Sequence, residues 1–136
     1  MKTTVGFELE ESLKNDSLVL SIASGNSMFP FIKNGMKILL SKPKDINILD
    51  TVLFKDGDHY ILHRVIDINE NGYITMGDNT INREYVKKGS ILGVLVGYYK
   101  GNKYIEINKE LNNKYYGFST KIKPFIRIKN RIKSVF

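Results

Sequence analysis

The decisive stretch of the chain reads Ser24-Gly25-Asn26-Ser27-Met28-Phe29-Pro30-Phe31-Ile32, and a strand-like stretch, Tyr60-Ile61-Leu62-His63-Arg64-Val65-Ile66, follows it. Gly25 favours a tight turn before Ser27, because glycine tolerates backbone conformations that other residues avoid. A serine hydroxyl is a weak nucleophile that needs a base beside it, and imidazole is the side chain that accepts protons near neutral pH. Ser27 and His63 are therefore candidates for a nucleophile and its general base.

Short strands dominate the sequence after Pro30. Asn71-Gly72 predicts a hairpin with a type I′ turn, in which both central residues have positive φ, and Gly101-Asn102 predicts a similar turn. Many short strands with little helix predict a mainly β fold, a coiled antiparallel sheet or partial barrel. The predicted strands are Met36 to Ser41, Thr51 to Lys55, His59 to Ile68, Tyr73 to Met76, Ile91 to Lys100 and Lys103 to Ile107.

Helices are expected at both ends of the chain. Val5 to Asn15 mixes apolar with acidic and polar residues, which predicts a short N-terminal helix. Beyond Glu110 the strand pattern stops, and a basic amphipathic helix is predicted, with Pro124 as a candidate break. We therefore divide the chain into a domain, residues 1–110, and a tail, residues 111–136. The apolar residues at helical spacing in the tail are Phe125, Ile128, Ile132, Val135 and Phe136.

The composition is that of one globular domain: 136 residues, 42% of them hydrophobic and 26% charged. The absence of cysteine and the presence of only two histidines argue against a zinc site, so we expect no metal or other cofactor. The N-terminus lacks the apolar block of a secretory signal, and Ile91 to Tyr99, the longest apolar-rich run, is far shorter than the roughly 20 residues of a membrane-spanning helix. We expect a cytoplasmic or peripherally membrane-associated protein.

The positive charge is concentrated in the tail. The formal net charge is +7, and the segment from Lys121 to Phe136 contains six basic residues and no acidic one. The tail could pack on its own domain, lie on an anionic membrane surface, or engage a partner such as an exporter or an acidic leader peptide. Nucleic acid is not expected as a partner, because the charge is not interleaved with aromatic residues across the strands. No obligate oligomer is inferred.

Five sequence blocks occur in an order that resembles the type I signal peptidases and the related self-cleaving repressor proteases. The resemblance runs from about Gly25 to Tyr99, over half of the chain, and His63-Arg64-Val65 resembles the histidine-base, endoplasmic-reticulum-like branch. It implies a fold of the signal peptidase type, in a short soluble form, with residues 1–110 as the catalytic domain. The blocks are Gly25 to Pro30 with Ile32 and Gly35, Asp50 to Phe54, His63 to Val65, Gly77 to Asn79, and Ile91 to Val94.

The resemblance also implies roles for individual residues. Ser27 would be the nucleophile and His63 the general base, and Asp78 matches an acidic position that would orient or support the site. A second acid is implied six residues later, at Glu84, so which carboxylate is the third catalytic residue stays open. Asp78 could equally be a turn former. The segment with Met28 and Pro30 would line a substrate groove, where an extended peptide adds a strand to the sheet edge.

The expected function is that of a serine endopeptidase that cleaves a peptide or precursor protein. Short histidine-type relatives with a basic C-terminal helix resemble proteases encoded beside ribosomally made, modified peptides, which implies leader removal as the task. The alternative is a catalytically idle member of the same fold that binds or escorts a peptide.

Overall fold

Eight antiparallel strands form one sheet, and a helix lies at each end of the chain. The computed structural model describes the backbone of residues 3–135 and the side chains of residues 8–127. The predicted mainly β fold with two terminal helices is confirmed at this level. The elements are α1 (Thr3–Asn15), β1 (Leu18–Ile22), β2 (Lys37–Ser41), β3 (Thr51–Asp56), β4 (His59–Asn69), β5 (Gly72–Met76), β6 (Arg83–Lys87), β7 (Ile91–Lys100), β8 (Lys103–Glu106) and α2 (Lys109–Val135).

Strand β7 is the centre of the sheet. The strand order is β1-β2-β7-β3-β4-β5-β6, and β8 pairs with β7 as well. One edge of β7 pairs with β2, and the opposite edge pairs first with β3 and then with β8. The sheet stays open, with β1 and β6 at its two ends. Strands β3 to β6 follow one another as hairpins, so chain order places His63 and Glu84 two strands apart.

Both faces of the sheet are covered by apolar side chains. Val52 and Leu53 are neighbours on β3, yet they belong to different core clusters, because successive side chains of a strand point to opposite faces. The first cluster includes Leu13 of α1 and Phe31 of the loop between β1 and β2, and this packing explains the continuous apolar sequence of β3.

Two strands were not predicted, and one turn prediction was wrong. Strand β6 is mostly polar and exposed, whereas β1 is apolar in sequence but exposes Leu18, Leu20 and Ile22. The predicted hairpin at Asn71-Gly72 is present, but Gly72 is already the first residue of β5 and pairs with Asn69. The turn residues are Glu70 and Asn71, and neither of these described residues has a positive φ, so the turn is not type I′. The Asn69 side chain accepts hydrogen bonds from the backbone N–H groups of Asn71 and Gly72 and closes the turn instead.

The tail begins as a helix that packs on the domain. Helix α2 runs without interruption through Pro124, so the predicted break is not found. The ring of Tyr115 lies 4.7 Å from that of Phe31, and Asn112 and Ser119 are buried. Over the described residues, neither helix has an apolar stretch long enough to cross a bilayer. The side chains of four predicted tail positions lie outside the described residues: Ile128, Ile132, Val135 and Phe136.

Two glycine-to-alanine substitutions should have opposite effects on stability. A Cβ atom at Gly72 would lie 2.2 Å from the carbonyl oxygen of Val86 and 3.1 Å from Cα of Lys87. Gly72→Ala should therefore lower the free energy of unfolding by about 1–3 kcal/mol. On α2, the added Cβ atom of Gly117→Ala would meet nothing within 4 Å. This substitution should raise the free energy of unfolding by up to about 1 kcal/mol, because alanine favours the helix more than glycine does. Urea denaturation measures both values, and equal effects would contradict this account of the β5–β6 contact.

Candidate active site

Ser27 lies on a tight turn in the loop between β1 and β2. Gly25 has φ +86°, and its backbone N–H donates a hydrogen bond of 2.9 Å to the side chain of Asn34 across the loop. The N–H of Phe29 donates to the carbonyl of Asn26 (3.1 Å), which closes the turn around Ser27. A residue with a Cβ atom rarely adopts the backbone conformation of Gly25, so the glycine is needed for the turn to start here. Ser27 itself is half-buried.

A second loop fixes the serine turn in place. Between β5 and β6, residues 77–80 form what we call the Gly77–Thr80 loop. The backbone N–H of Asn79 donates to the carbonyl of Ser27 (2.9 Å), and its side-chain amide donates to the carbonyl of Asn26 (3.1 Å). The N–H of Asp78 donates to the Met28 sulfur (3.3 Å). The predicted Gly-x-Ser and Gly-Asp-Asn blocks therefore meet in space.

His63 is held by Glu84 through the Nδ1 side of its ring. His63 lies on β4, is only 7% exposed, and its Nδ1 atom is 2.7 Å from Oε1 of Glu84 on β6. Thr75, between them on β5, pairs with Glu84 and donates a hydrogen bond to the same oxygen (2.8 Å). In the tautomer with its proton on Nδ1, His63 donates to the Glu84 carboxylate, and Nε2 is left as an acceptor.

The reach of Glu84 follows from the sheet. Strands β4 and β6 flank β5, and two strand spacings amount to about 9.5 Å between backbones. The carboxylate has to cross β5 to meet the imidazole, and the additional methylene of glutamate relative to aspartate provides that length. The length of the glutamate side chain is thus what lets Glu84 contact His63.

Gly77 marks the point where the histidine and the serine turn converge. A Cβ atom at Gly77 would lie 2.9 Å from Nε2 of His63 and 2.6 Å from the carbonyl oxygen of Ser27. Only glycine leaves room for this approach, and Nε2 is the ring nitrogen on the serine side. Among the described residues, no hydrogen bond joins Ser27 Oγ to His63 Nε2.

Asp78 has a different partner from the one expected for an orienting acid. Its two carboxylate oxygens accept hydrogen bonds from Nε (2.7 Å) and Nη2 (2.8 Å) of Arg64, a residue that is 0% exposed. The remaining guanidinium nitrogen donates to the carbonyl of Leu49 and the side chain of Asn112 on α2. The carboxylate that contacts His63 belongs to Glu84, and that of Asp78 belongs to Arg64.

Sequence reasoning missed Lys123, which ties α2 to the Gly77–Thr80 loop. Its ammonium donates to the carbonyls of Gly77 (2.5 Å), Asp78 (3.2 Å) and Thr80. Ser119, one turn earlier, donates to the same Asp78 carbonyl (2.8 Å). Burial lowers the pKa of Lys123 from its ordinary value, while the nearby Asp78 acts in the opposite direction. In the sequence Lys123 is one of several basic residues of the tail. No local sequence pattern marks a lysine whose partners are backbone carbonyls of a distant loop.

An apolar groove of about 740 Å³ lies beside Ser27 and His63. Met28, whose side chain is buried, is one of the residues that line it. Pro30 does not; it lines a separate cavity together with Phe31 and Tyr115. Most other lining side chains are apolar, among them Ile22, Ala23, Leu40, Ile61 and Leu62. The groove fits an extended, mostly apolar segment rather than a highly charged one.

No protein-family model and no curated protein matches the chain. The described residues contain no group of three or more His, Cys, Asp or Glu side chains placed to hold a metal ion.

The two acids should differ in their effect on stability. Asp78→Ala leaves the buried Arg64 without its carboxylate and should lower the free energy of unfolding by about 3–5 kcal/mol, because removing one partner leaves an uncompensated buried charge. Glu84→Gln keeps an acceptor for Thr75 and should change the value by less than about 1 kcal/mol. Urea denaturation of both variants measures the difference. An unchanged stability for Asp78→Ala would show that the Arg64 pair does not support the fold.

Proposed function

We propose that the protein is a serine endopeptidase in which Ser27 is the nucleophile, His63 the general base and Glu84 the carboxylate that orients the base. The observation that carries the proposal is the bond between His63 Nδ1 and Glu84, which leaves Nε2 on the side of the serine turn. A base that is hydrogen-bonded to a third group and directed toward a nucleophile is the arrangement that activates serine in hydrolases.

In this mechanism Ser27 Oγ attacks the carbonyl carbon of the scissile peptide bond as its proton passes to Nε2 of His63. The imidazolium then gives the proton to the leaving amine, the C–N bond breaks, and an ester on Ser27 remains. Water, deprotonated by the same nitrogen, attacks the ester and releases the carboxylic acid and the free serine. Glu84 stabilises the imidazolium in both halves of the reaction. The backbone N–H of Ser27 is a candidate donor to the oxyanion.

The substrate is proposed to be an extended peptide in the apolar groove. Strand β1 is at the end of the sheet, and its last residue, Ile22, lines the groove, as do Ala23 and Ser24. An extended peptide could therefore pair with the free edge of β1 while its side chains enter the groove. A peptide bond held in this way would run past Ser27.

The signal peptidase resemblance extends the proposal to fold type and task. A nucleophile before the second strand and a His-Arg-Val base strand on an open antiparallel sheet are compatible with a short, histidine-base member of that superfamily. The proposed task is the removal of a leader from a peptide or precursor protein, including ribosomally made peptides that are later modified. The rival is an idle binder that holds the same peptide in the groove without cutting it.

A serine-acylating probe separates these two functions. Intact-mass and peptide mass spectrometry should find a covalent adduct on Ser27 in the wild type and none in Ser27→Ala. His63→Ala should slow its formation strongly, because the hydroxyl loses its base. Ser24→Ala is the matched control, since Ser24 is an exposed serine on the same groove, and it should keep the adduct. A peptide that binds the wild type without any adduct or cleavage would favour the idle binder.

Glu84→Gln should reduce turnover without reducing peptide affinity. The amide no longer stabilises the imidazolium or fixes the ring tautomer, and the loss of kcat should be on the order of 10³-fold or more. KM should change little, because Glu84 does not line the groove. Glu106→Gln on β8 removes the same charge from an exposed site and should behave as wild type. A loss confined to KM would contradict an orienting role for Glu84.

A further inference from the structure

Helix α2 has two faces with different neighbours. Its inner face meets the domain through buried or partly buried side chains one turn apart, namely Asn112, Tyr115, Ser119 and Lys123. A helix turns by about 100° per residue, so residues at steps of three and four lie on one side. The outer face is defined by the four residues that follow the same spacing on the opposite side: Lys114, Phe118, Lys121 and Phe125.

All four residues of this outer stripe face solvent. Phe125 is 71% exposed and Phe118 is 47% exposed, and both lysines are exposed as well. Isolated exposed apolar side chains are common, but two phenylalanines in line on one helix face, alternating with lysines, form a regular pattern. The stripe is about 16 Å long, because eleven residues of helix rise by that distance. Exposed apolar side chains in such a row favour a surface that can cover them.

We propose that the outer stripe of α2 docks on the surface of an anionic lipid bilayer, with the helix lying in the plane of the interface. The phenylalanines would enter the boundary between headgroups and acyl chains, and the lysines would contact lipid phosphates. The inference does not rest on the proposed peptidase function, since none of its residues belongs to the Ser27 site.

Charge favours a lipid surface as the occupant. From Leu111 onward the sequence has seven basic residues and no acidic one, so the single acidic residue of α2, Glu110, lies in its first turn, ahead of the outer stripe. Each basic residue near such a surface strengthens binding by roughly fivefold. A straight row of two rings and two ammonium groups matches a flat surface that has apolar material beneath its charges. An acidic protein surface would pair with the lysines, but its charge alone would not bury the two phenylalanine rings.

The same helix joins this surface to the candidate active site. Lys123 and Ser119 on the inner face hold the carbonyls of the Gly77–Thr80 loop, which in turn holds the serine turn. A bilayer bound to the outer face would therefore keep the catalytic domain at a set orientation. This arrangement suits a peptide that is delivered at a membrane.

The test is binding of the full chain to lipid vesicles. Co-sedimentation should retain the wild type on vesicles of phosphatidylcholine mixed with phosphatidylglycerol, with much weaker retention on phosphatidylcholine alone and release at high salt. The sequence contains no tryptophan, so Phe125→Trp introduces a single tryptophan whose emission reports on this position. Its emission should shift to shorter wavelength when anionic vesicles are added. The absence of binding, or of the shift, would overturn the proposal.

Paired variants locate the surface. Lys114→Gln/Lys121→Gln should weaken vesicle binding by about 25-fold, and Phe118→Ser/Phe125→Ser by about tenfold or more. Lys87→Gln/Lys88→Gln removes the same charge from exposed positions away from α2, and Tyr85→Ser removes an exposed aromatic side chain from β6. These controls should bind nearly as the wild type does, and circular dichroism checks that all variants are folded.

Two results would overturn the assignment. Equal losses in the stripe variants and their controls would mean that binding follows net charge alone. Binding to a soluble acidic peptide that depends on Phe118 and Phe125, without binding to anionic vesicles, would assign the stripe to a protein partner. Repeating the vesicle assay with Ser27→Ala keeps the two proposals apart, because an inactive protein that still binds leaves this inference intact.

Discussion

The buried pair of Arg64 and Asp78 is the interaction on which the rest of the site depends. A guanidinium group with no exposed surface is costly unless every donor finds a partner and its charge is balanced. Arg64 offsets that cost with four hydrogen bonds: two to Asp78 of the Gly77–Thr80 loop, one to Leu49 in the loop before β3, and one to Asn112 on α2. The group also lies 5.0 Å from the ring of Phe31. One side chain thus joins four segments of the chain around β4.

The position of Arg64 directly after His63 gives the two neighbouring acids different tasks. Successive side chains of a strand point to opposite faces, so His63 meets Glu84 on one face, whereas Arg64 meets Asp78 and Asn112 of α2 on the other. Each then requires its own carboxylate, because a single acid cannot serve both faces. Asp78, in the loop, neutralises the arginine, and Glu84, on β6, holds the imidazole. The His-Arg sequence is therefore a structural unit with two acidic partners.

Sequence reasoning succeeded where the information is local. Strands β3, β4 and β7 are apolar because they are buried in the sheet, and the serine turn is recognisable from Gly25. The role of Glu84 was not decidable, because it depends on the register of three strands. Strand β1 was missed because its apolar side chains point outward, and β6 because most of its side chains are exposed. The turn after β4 was misassigned because the Asn69 side chain closes it in place of a positive φ at Asn71.

The Gly77–Thr80 loop explains how a site made of distant segments can be rigid. Its polar groups are bound from three directions: Ser27 accepts from Asn79, Lys123 and Ser119 donate to its carbonyls, and the Thr80 hydroxyl accepts from the N–H of Gly77. A loop with its backbone groups bound in this way has little freedom to shift, and the serine turn attached to it shares that restriction. Preorganised geometry of this kind lowers the entropic cost of reaching a reactive arrangement. Because α2 also holds this loop, the position of Ser27 relative to His63 is a property of the whole fold, including the helix that follows the sheet.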